Sequence, residues 1–188
     1  MKKLILGVVW ITFGTAAAGQ AKPDENRLST QLKLDMGLQG VGISMEPRLG
    51  NHLSLDLAMG AGGGYDVSPF SFIYEFNLLQ PAFYLSATPK FYYNRLKRLA
   101  KQKTIKNNSG NYIGLRLKYT TPSIAPNDYL RQTGLINLHW GLQRPIGNRG
   151  VFNTHAGFGY AQSFGNSQGR IYPAIGVNFA YLLLKPIR

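Results

Sequence analysis

The chain has 188 residues, with 21 Lys+Arg against 8 Asp+Glu for a formal net charge of +13, yet only 15% of its residues are charged, 44% are hydrophobic and 12% aromatic. That length is the size of one domain, and the apolar and aromatic content excludes a disordered chain despite the charge. The absence of cysteine excludes a disulfide framework, a cysteine-ligated zinc or iron–sulfur site, a cysteine nucleophile and an acylated lipoprotein anchor.

Residues 1–18 read as a secretory signal peptide. Met1-Lys2-Lys3 is the positive region, Leu4 to Phe13 is an apolar run too short for a spanning helix, and Ala16-x-Ala18 supplies small residues for cleavage. Gly19-x-Ala21 offers a second cleavage position, after residue 21. Residues 19–27 form a short N-terminal segment, and a chain with such a leader leaves the cytoplasm. No later run approaches the roughly 18 consecutive apolar residues of a transmembrane helix.

From residue 28 onward the pattern is alternation with period two, which predicts half-buried strands. Leu28, Thr30, Leu32, Leu34 and Met36 form one face of the first strand, which turns at about Gly37 to Gly40. A turn at Leu49-Gly50 sets Met45 against Leu53, Ile43 against Leu55 and Val41 against Leu57. A turn centred on Gly147 sets Leu142 against Phe152, Trp140 against Thr154 and His139 against His155. In both hairpins apolar residues meet mostly apolar ones and polar meet polar, so the two faces are specified. The full count is eight strands, at about 28–36, 40–49, 52–63, 74–93, 110–121, 132–143, 151–162 and 170–183. The fold class is therefore all-β: an eight-stranded antiparallel up-and-down transmembrane β-barrel over residues 28–188.

The connections alternate in character. Arg48–Asn51, Asn94–Ser109 and Pro145–Gly150 belong to one end, which in a membrane barrel faces the periplasm; those near Leu38, Gly64–Phe72, Pro122–Arg131 and Gln162–Gly169 belong to the other. Residue size sets which face points inward. The non-apolar face is rich in small residues such as Gly42, Ser54, Gly60, Gly141, Gly157 and Gly176, which suit the crowded lumen of a narrow barrel. Aromatics near strand ends, among them Tyr93, Tyr119, Trp140, Phe152, Tyr160 and Tyr181, suit interfacial girdles. A soluble lipocalin-like lipid carrier is the reading with the faces exchanged.

Between Glu75 and Asp128 there are nine basic residues and no acidic one. Six lie in the connection at 94–109: Arg95, Lys97, Arg98, Lys101, Lys103 and Lys106. Asn94–Gln102 has helix-forming composition, with Leu96, Leu99 and Ala100 on one side. An exported barrel does not meet nucleic acid, so the partner expected for this segment is the anionic lipid surface; a solvated charged turn is the plainer alternative.

The stretch FYYNRLKRLAKQKTIKNNSGNYIGLRLKY, from Phe91 to Tyr119, resembles small outer-membrane β-barrel proteins of the Bacteroidota, in which an aromatic-Tyr-Asn strand end leads through a basic connection to a Ser-Gly-Asn-Tyr restart. ISMEPRLGNHLSLDLAMGAG, from Ile43 to Gly62, resembles that group's strand–Arg-Leu-Gly-turn–strand unit, with Pro47 as a departure. A second departure is the run LLLKPIR beyond Tyr181, where many such barrels end on an aromatic residue. The resemblance implies architecture and an outer-membrane location in a Gram-negative bacterium. It implies no chemistry.

Catalytic candidates are few. His139 and His155, with a carboxylate such as Asp56, would make an incomplete metal site, since zinc catalysis needs three protein ligands. His52 and Ser54 lie two apart beside a turn at the periplasmic end, away from the outer rim where lipid A-modifying barrels work. The expectation is therefore no catalytic residue, no metal and no cofactor, with lipid A modification as the alternative. Asp56, Arg116, Lys118, His139 and His155 are expected to form a polar network in the lumen, with Asp56 and Asp35 neutralising Arg116 and Lys118. Tyr65, Phe70, Phe72 and Tyr129 are the loop residues expected to meet a protein or envelope partner.

Overall fold

The computed structural model describes residues 27–68, 70–76, 79, 81–123, 130–165 and 167–184. The signal-peptide reading of residues 1–18 and the loop candidate Tyr129 lie outside them. The described chain is all-β, and eight of its strands close into one antiparallel barrel. In chain order the strands are β1 (Gln31–Gly37), β2 (Gly40–Glu46), β3 (Leu53–Gly62), β4 (Gly64–Val67), β5 (Phe72–Glu75), β6 (Ala82–Tyr92), β7 (Gly110–Ser123), β8 (Thr133–Ile146), β9 (Gly150–Ser163) and β10 (Gly169–Leu182). β4 and β5 form a separate hairpin; the barrel order is β1, β10, β9, β8, β7, β6, β3, β2, with β1 and β2 closing the ring.

Alternation places the connections in two sets. One end, the turn end, carries 47–52, 93–109 and 147–149; the other, the loop end, carries 38–39, 63–81, 124–132 and 164–168. The apolar face points outward: Leu34, Ile43, Leu57, Leu85, Leu117, Ile136, Phe158 and Ile175 are all exposed. Lys33, Asp35, Glu46, Ser54, Lys90, Lys118, Asn137, His139, Gln143 and His155 are buried inside. A lipocalin-like carrier requires the reverse, an apolar interior.

Both hairpin registers differ from the sequence reading, and both by an even number. Met45 faces Leu57 and Ile43 faces Met59, because the turn is centred at Asn51: the N–H groups of Leu49 and Gly50 both donate to the Leu53 carbonyl, and Arg48 bridges Ser54. Leu142 faces Thr154, Trp140 faces Ala156 and His139 faces Gly157, because Ile146 pairs with Gly150 across a three-residue turn. Gly147 opens that turn at φ +58°, a left-handed conformation that favours glycine. Since side chains alternate with period two, an even slip leaves every residue on its expected face.

Two further expectations are corrected. The single strand at 74–93 is two elements, β5 and β6, and β5 turns back to pair with β4. Leu28 does not lie on the outer face: β1 begins only at Gln31, and Leu28 packs against Tyr92 and Tyr112 at the turn end. Asn108 holds this leading segment as a strand partner would, accepting from the Ser29 N–H at 2.8 Å and donating to the Ser29 carbonyl at 2.9 Å.

Both ends of the barrel are filled. At the loop end the β4–β5 hairpin folds into the mouth, where Tyr65 and Val67 pack with Leu135, Ala161, Tyr172 and Ala174. At the turn end the connection 93–109 contains α1 (Arg95–Ala100) and reaches the β8–β9 turn, where Asn107 Nδ2 donates to the carbonyls of Asn148 and Gly150.

Candidate functional site

The lumen is built by the inward positions of the strands, and glycines on neighbouring strands make room for its large side chains. A Cβ on Gly141 would sit 2.3 Å from the Tyr112 ring, and one on Gly176 would sit 2.2 Å from the His155 ring. The polar groups then fall into two tiers.

The lower tier, toward the turn end, is a closed ring of four charges. Lys33 Nζ donates to Glu46 Oε2 at 2.7 Å and to Asp56 Oδ2 at 3.0 Å. Lys90 Nζ lies 2.5 Å from Asp56 Oδ2 and 3.6 Å from Glu46 Oε2. Glu46 Oε1 also accepts from Ser54 Oγ at 2.7 Å and from the Tyr92 hydroxyl at 2.9 Å. Buried charges persist only when paired and hydrogen-bonded, and this ring meets both conditions. A neutral chain continues it: the Tyr112 hydroxyl donates to Asn153 Oδ1, Asn153 Nδ2 to Gln143 Oε1, and Gln143 Nε2 to the Asn107 carbonyl.

The upper tier, toward the loop end, holds cations on neutral partners. Arg116 Nε donates to Thr88 Oγ1 at 3.2 Å, and its Nη1 lies 3.2 Å from His155 Nε2. Because Arg116 can only donate, that ring nitrogen accepts, and the His155 proton sits on Nδ1. Lys118 Nζ donates to the Tyr65 hydroxyl at 3.2 Å and to Gln39 Oε1 at 3.4 Å, and lies 4.7 Å from the centre of the Tyr84 ring. Asp35 accepts from Asn178 Nδ2 at 2.7 Å through one oxygen, while its Oδ2 is buried with no hydrogen-bond partner among the described residues.

Arg116, Lys118, His139 and His155 thus share one region. The two histidine rings, expected directly opposite each other, are diagonal neighbours with centroids 4.5 Å apart. His139 Nδ1 donates to Asn137 Oδ1 at 2.7 Å, an oxygen left facing the ring because the Asn137 amide nitrogen donates to the Tyr172 hydroxyl. Asp56 is not with them. Held by Lys33 and Lys90, it neutralises neither Arg116 nor Lys118 and is no third ligand for the histidine pair. Ser54 gives its hydroxyl to Glu46 rather than to His52. The residues that sequence reading missed are Lys33 and Glu46, together with Lys90, one of the nine basic residues between Glu75 and Asp128. Strand parity was the signal: Lys33 shares a face with Asp35, Glu46 with Ser44, and Lys90 with Tyr92.

The basic connection is not uniform either. Lys97, Lys101, Lys103 and Lys106 are exposed, and Arg98 is tied by two hydrogen bonds to the Thr104 carbonyl. Arg95, expected at the surface with them, is only 1% exposed. Its guanidinium donates to the carbonyls of Arg27, Ile105 and Ser109, joining the connection to the leading segment.

Among the loop candidates, Tyr65 and Phe72 point into the mouth rather than outward, and Phe72 stacks on Tyr172 with centroids 4.6 Å apart. Tyr74 closes the hairpin by donating its hydroxyl to the Leu38 carbonyl. Phe70 alone of the described candidates projects freely, 91% exposed at the hairpin tip. No protein-family model matches the chain, and no curated protein and no solved structure is significantly similar to it.

Proposed function

We propose that this is an outer-membrane β-barrel of a Gram-negative bacterium, exported by a cleaved signal peptide, whose work is structural, anchoring or loop-mediated binding rather than catalysis. The observation that carries the reading is the inversion of the barrel, with apolar side chains outside and a paired polar network inside. In water that outer surface would be a large aggregation-prone patch; in lipid it is the ordinary outer face of a barrel.

Two bands of exposed or half-buried aromatics support this. Phe83, Tyr119, Tyr160 and Phe164 lie toward the loop end, and Phe91, Tyr93, Trp140, Phe152, Phe179 and Tyr181 toward the turn end. Along β9, Phe152 and Tyr160 are eight residues apart. At roughly 3.4 Å per residue and a tilt of about 40°, the bands stand about 21 Å apart, close to the height of an outer-membrane apolar belt. Leu96 on α1 is exposed beside the basic residues, which suits a segment lying on the lipid headgroups. The resemblance to small Bacteroidota barrels points the same way.

A lumen stopped at both ends is a poor pore. The lower ring leaves neither Glu46 nor Asp56 free to act as a general base, since each already accepts from a lysine. Outward contact falls to the loop end, with Phe70 foremost. The reading is tested by separating outer membrane from periplasm and running boiled and unboiled samples on a detergent gel. Recovery in the outer membrane with a mobility shift on boiling is expected; recovery as a soluble, unshifted protein would refute it. Unchanged lipid A in cells carrying His139→Ala or His155→Ala is expected, and an altered lipid A would favour the enzyme.

A further inference from the structure

We propose that the upper tier of the lumen is a binding site for a small free oxyanion, such as inorganic phosphate, sulfate or a short carboxylate, held by Arg116 and Lys118. The described charged residues facing the lumen are Lys33, Lys90, Arg116 and Lys118 against Asp35, Glu46 and Asp56. Glu46 and Asp56 are saturated by Lys33 and Lys90, which leaves two cations above them. No described carboxylate lies within salt-bridge distance of either, and their nearest partners are a hydroxyl, an imidazole, an amide and tyrosine rings. Asp35, the remaining carboxylate, is bonded to Asn178 instead.

The second observation is space. A cavity of about 210 Å³ lies directly beneath the β4–β5 hairpin and is lined by Arg116, Lys118, Asn137, His155 and Tyr172. A smaller one of about 60 Å³ adjoins it through Arg116, Gln39 and His155 and reaches down to Lys33, Asp35, Asp56 and Lys90, so the anion belongs in the larger cavity. The walls of the larger cavity, which include no described carboxylate, therefore supply what an oxyanion needs: a guanidinium, an ammonium group, and amide and hydroxyl donors. The hairpin and its Phe72–Tyr172 stack close the mouth above. A phosphate still attached to lipid acyl chains has no room there, so the occupant is a free ion.

The third is the neutral geometry around the cations. Lys118 rests against the Tyr84 and Tyr65 rings and Arg116 against an unprotonated histidine nitrogen. These contacts orient both cations without cancelling their charge. The opposite arrangement, with cations locked into carboxylates, stands one tier below in the same lumen.

The test is calorimetric titration of the detergent-purified protein with inorganic phosphate, with acetate and chloride at matched ionic strength as comparisons. Saturable one-to-one phosphate binding is expected, weakened at least tenfold in Arg116→Gln and in Lys118→Gln, and unchanged in the surface variant Arg48→Gln. Heat-modifiability reports whether each variant has folded. Absence of saturable binding to the wild-type protein, or full binding by a folded Arg116→Gln/Lys118→Gln double variant, overturns the proposal. Displacement of phosphate by a short-chain phosphatidylglycerol overturns the assignment to a free ion. If the variants do not fold, wild-type crystals soaked in selenate decide: an anomalous peak between Arg116 and Lys118 is expected, and its absence overturns the site.

Discussion

The two tiers of the lumen differ in a way their composition does not foretell. Each contains two buried or half-buried cations projecting from strands, and each is walled by tyrosine. In the lower tier Lys33 and Lys90 share two carboxylates, and the four groups close on themselves. In the upper tier Arg116 and Lys118 lean on neutral groups beside open space. The first arrangement stabilises a shape, and the second stores a charge that something else can use. A buried cation is thus a structural element or a recognition element according to where its counter-charge sits.

Neutralising one charge in each tier separates the two arrangements most strongly. Glu46→Gln strips Lys33 and Lys90 of half their compensation while also weakening the bonds from Ser54 and Tyr92. Breaking a buried pair on one side costs about 3–5 kcal/mol, and a loss of that order is expected in urea unfolding from detergent micelles. Lys118→Met removes a cation that no described carboxylate holds, so in phosphate-free buffer it is expected to change stability by no more than about 1 kcal/mol. Equal losses in the two variants would mean that the tiers are not different in kind.

The turn end offers a second contrast, between basic residues of one short connection. Arg95→Ala withdraws a charged donor from three backbone carbonyls and is expected to cost about 2–3 kcal/mol by the same unfolding measurement. Lys103→Ala, at an exposed neighbour, is expected to stay within about 0.5 kcal/mol. Retained stability in Arg95→Ala would return Arg95 to the surface-lying set.

Packing separates the tiers again. A Cβ at Gly141 meets the Tyr112 ring, which is pinned by its hydrogen bond to Asn153 and borders neither cavity. Gly141→Ala is therefore expected to cost about 1–3 kcal/mol, the usual range for overpacking. A Cβ at Gly176 meets His155, but that ring borders both cavities and has somewhere to move. Gly176→Ala is expected to cost less than Gly141→Ala, again by urea unfolding, and the reverse order would mean that the upper cavity is not adaptable space.

How much of this was legible in the sequence follows from what period-two alternation encodes. It records faces, so the eight barrel strands, the inward Arg116, Lys118, His139 and His155, and the two sets of connections could all be read from residue order. It does not record which neighbour a residue meets. That depends on turn geometry, and turns centred at Asn51 and Asn148 rather than at Leu49-Gly50 and Gly147 moved the pairings by four and two residues. The counter-charges were lost for the same reason, since Asp56 reaches Lys33 and Lys90 across diagonals that only the true register creates. Tyr65 and Phe72 were misplaced for another reason. A loop folded back into its own barrel has the composition of a loop facing outward, and only the pairing of β4 with β5 distinguishes them. Arg95 sits in a run of exposed cations, and nothing local marks it as the one that turns inward.

The smallest expected effect bears on what the plug does for each tier. Phe72 stacks on Tyr172, and such a pair contributes about 0.5–1.5 kcal/mol beyond the area it buries. Phe72→Ala should therefore loosen the β4–β5 hairpin without unfolding the barrel. Hydrogen exchange is expected to quicken at residues 64–75 and to stay unchanged along the strands that carry Lys33, Glu46, Asp56 and Lys90. Loosening the mouth exposes the upper tier only. The lower ring, with Tyr92 and Tyr112 beneath it, still fills the barrel, and an eight-stranded interior has little room beyond its own side chains. Planar-bilayer recordings of Phe72→Ala are accordingly expected to show no steady conductance. A steady current from this one substitution would mean that the hairpin is the barrel's seal and that the charge ring below is porous to ions.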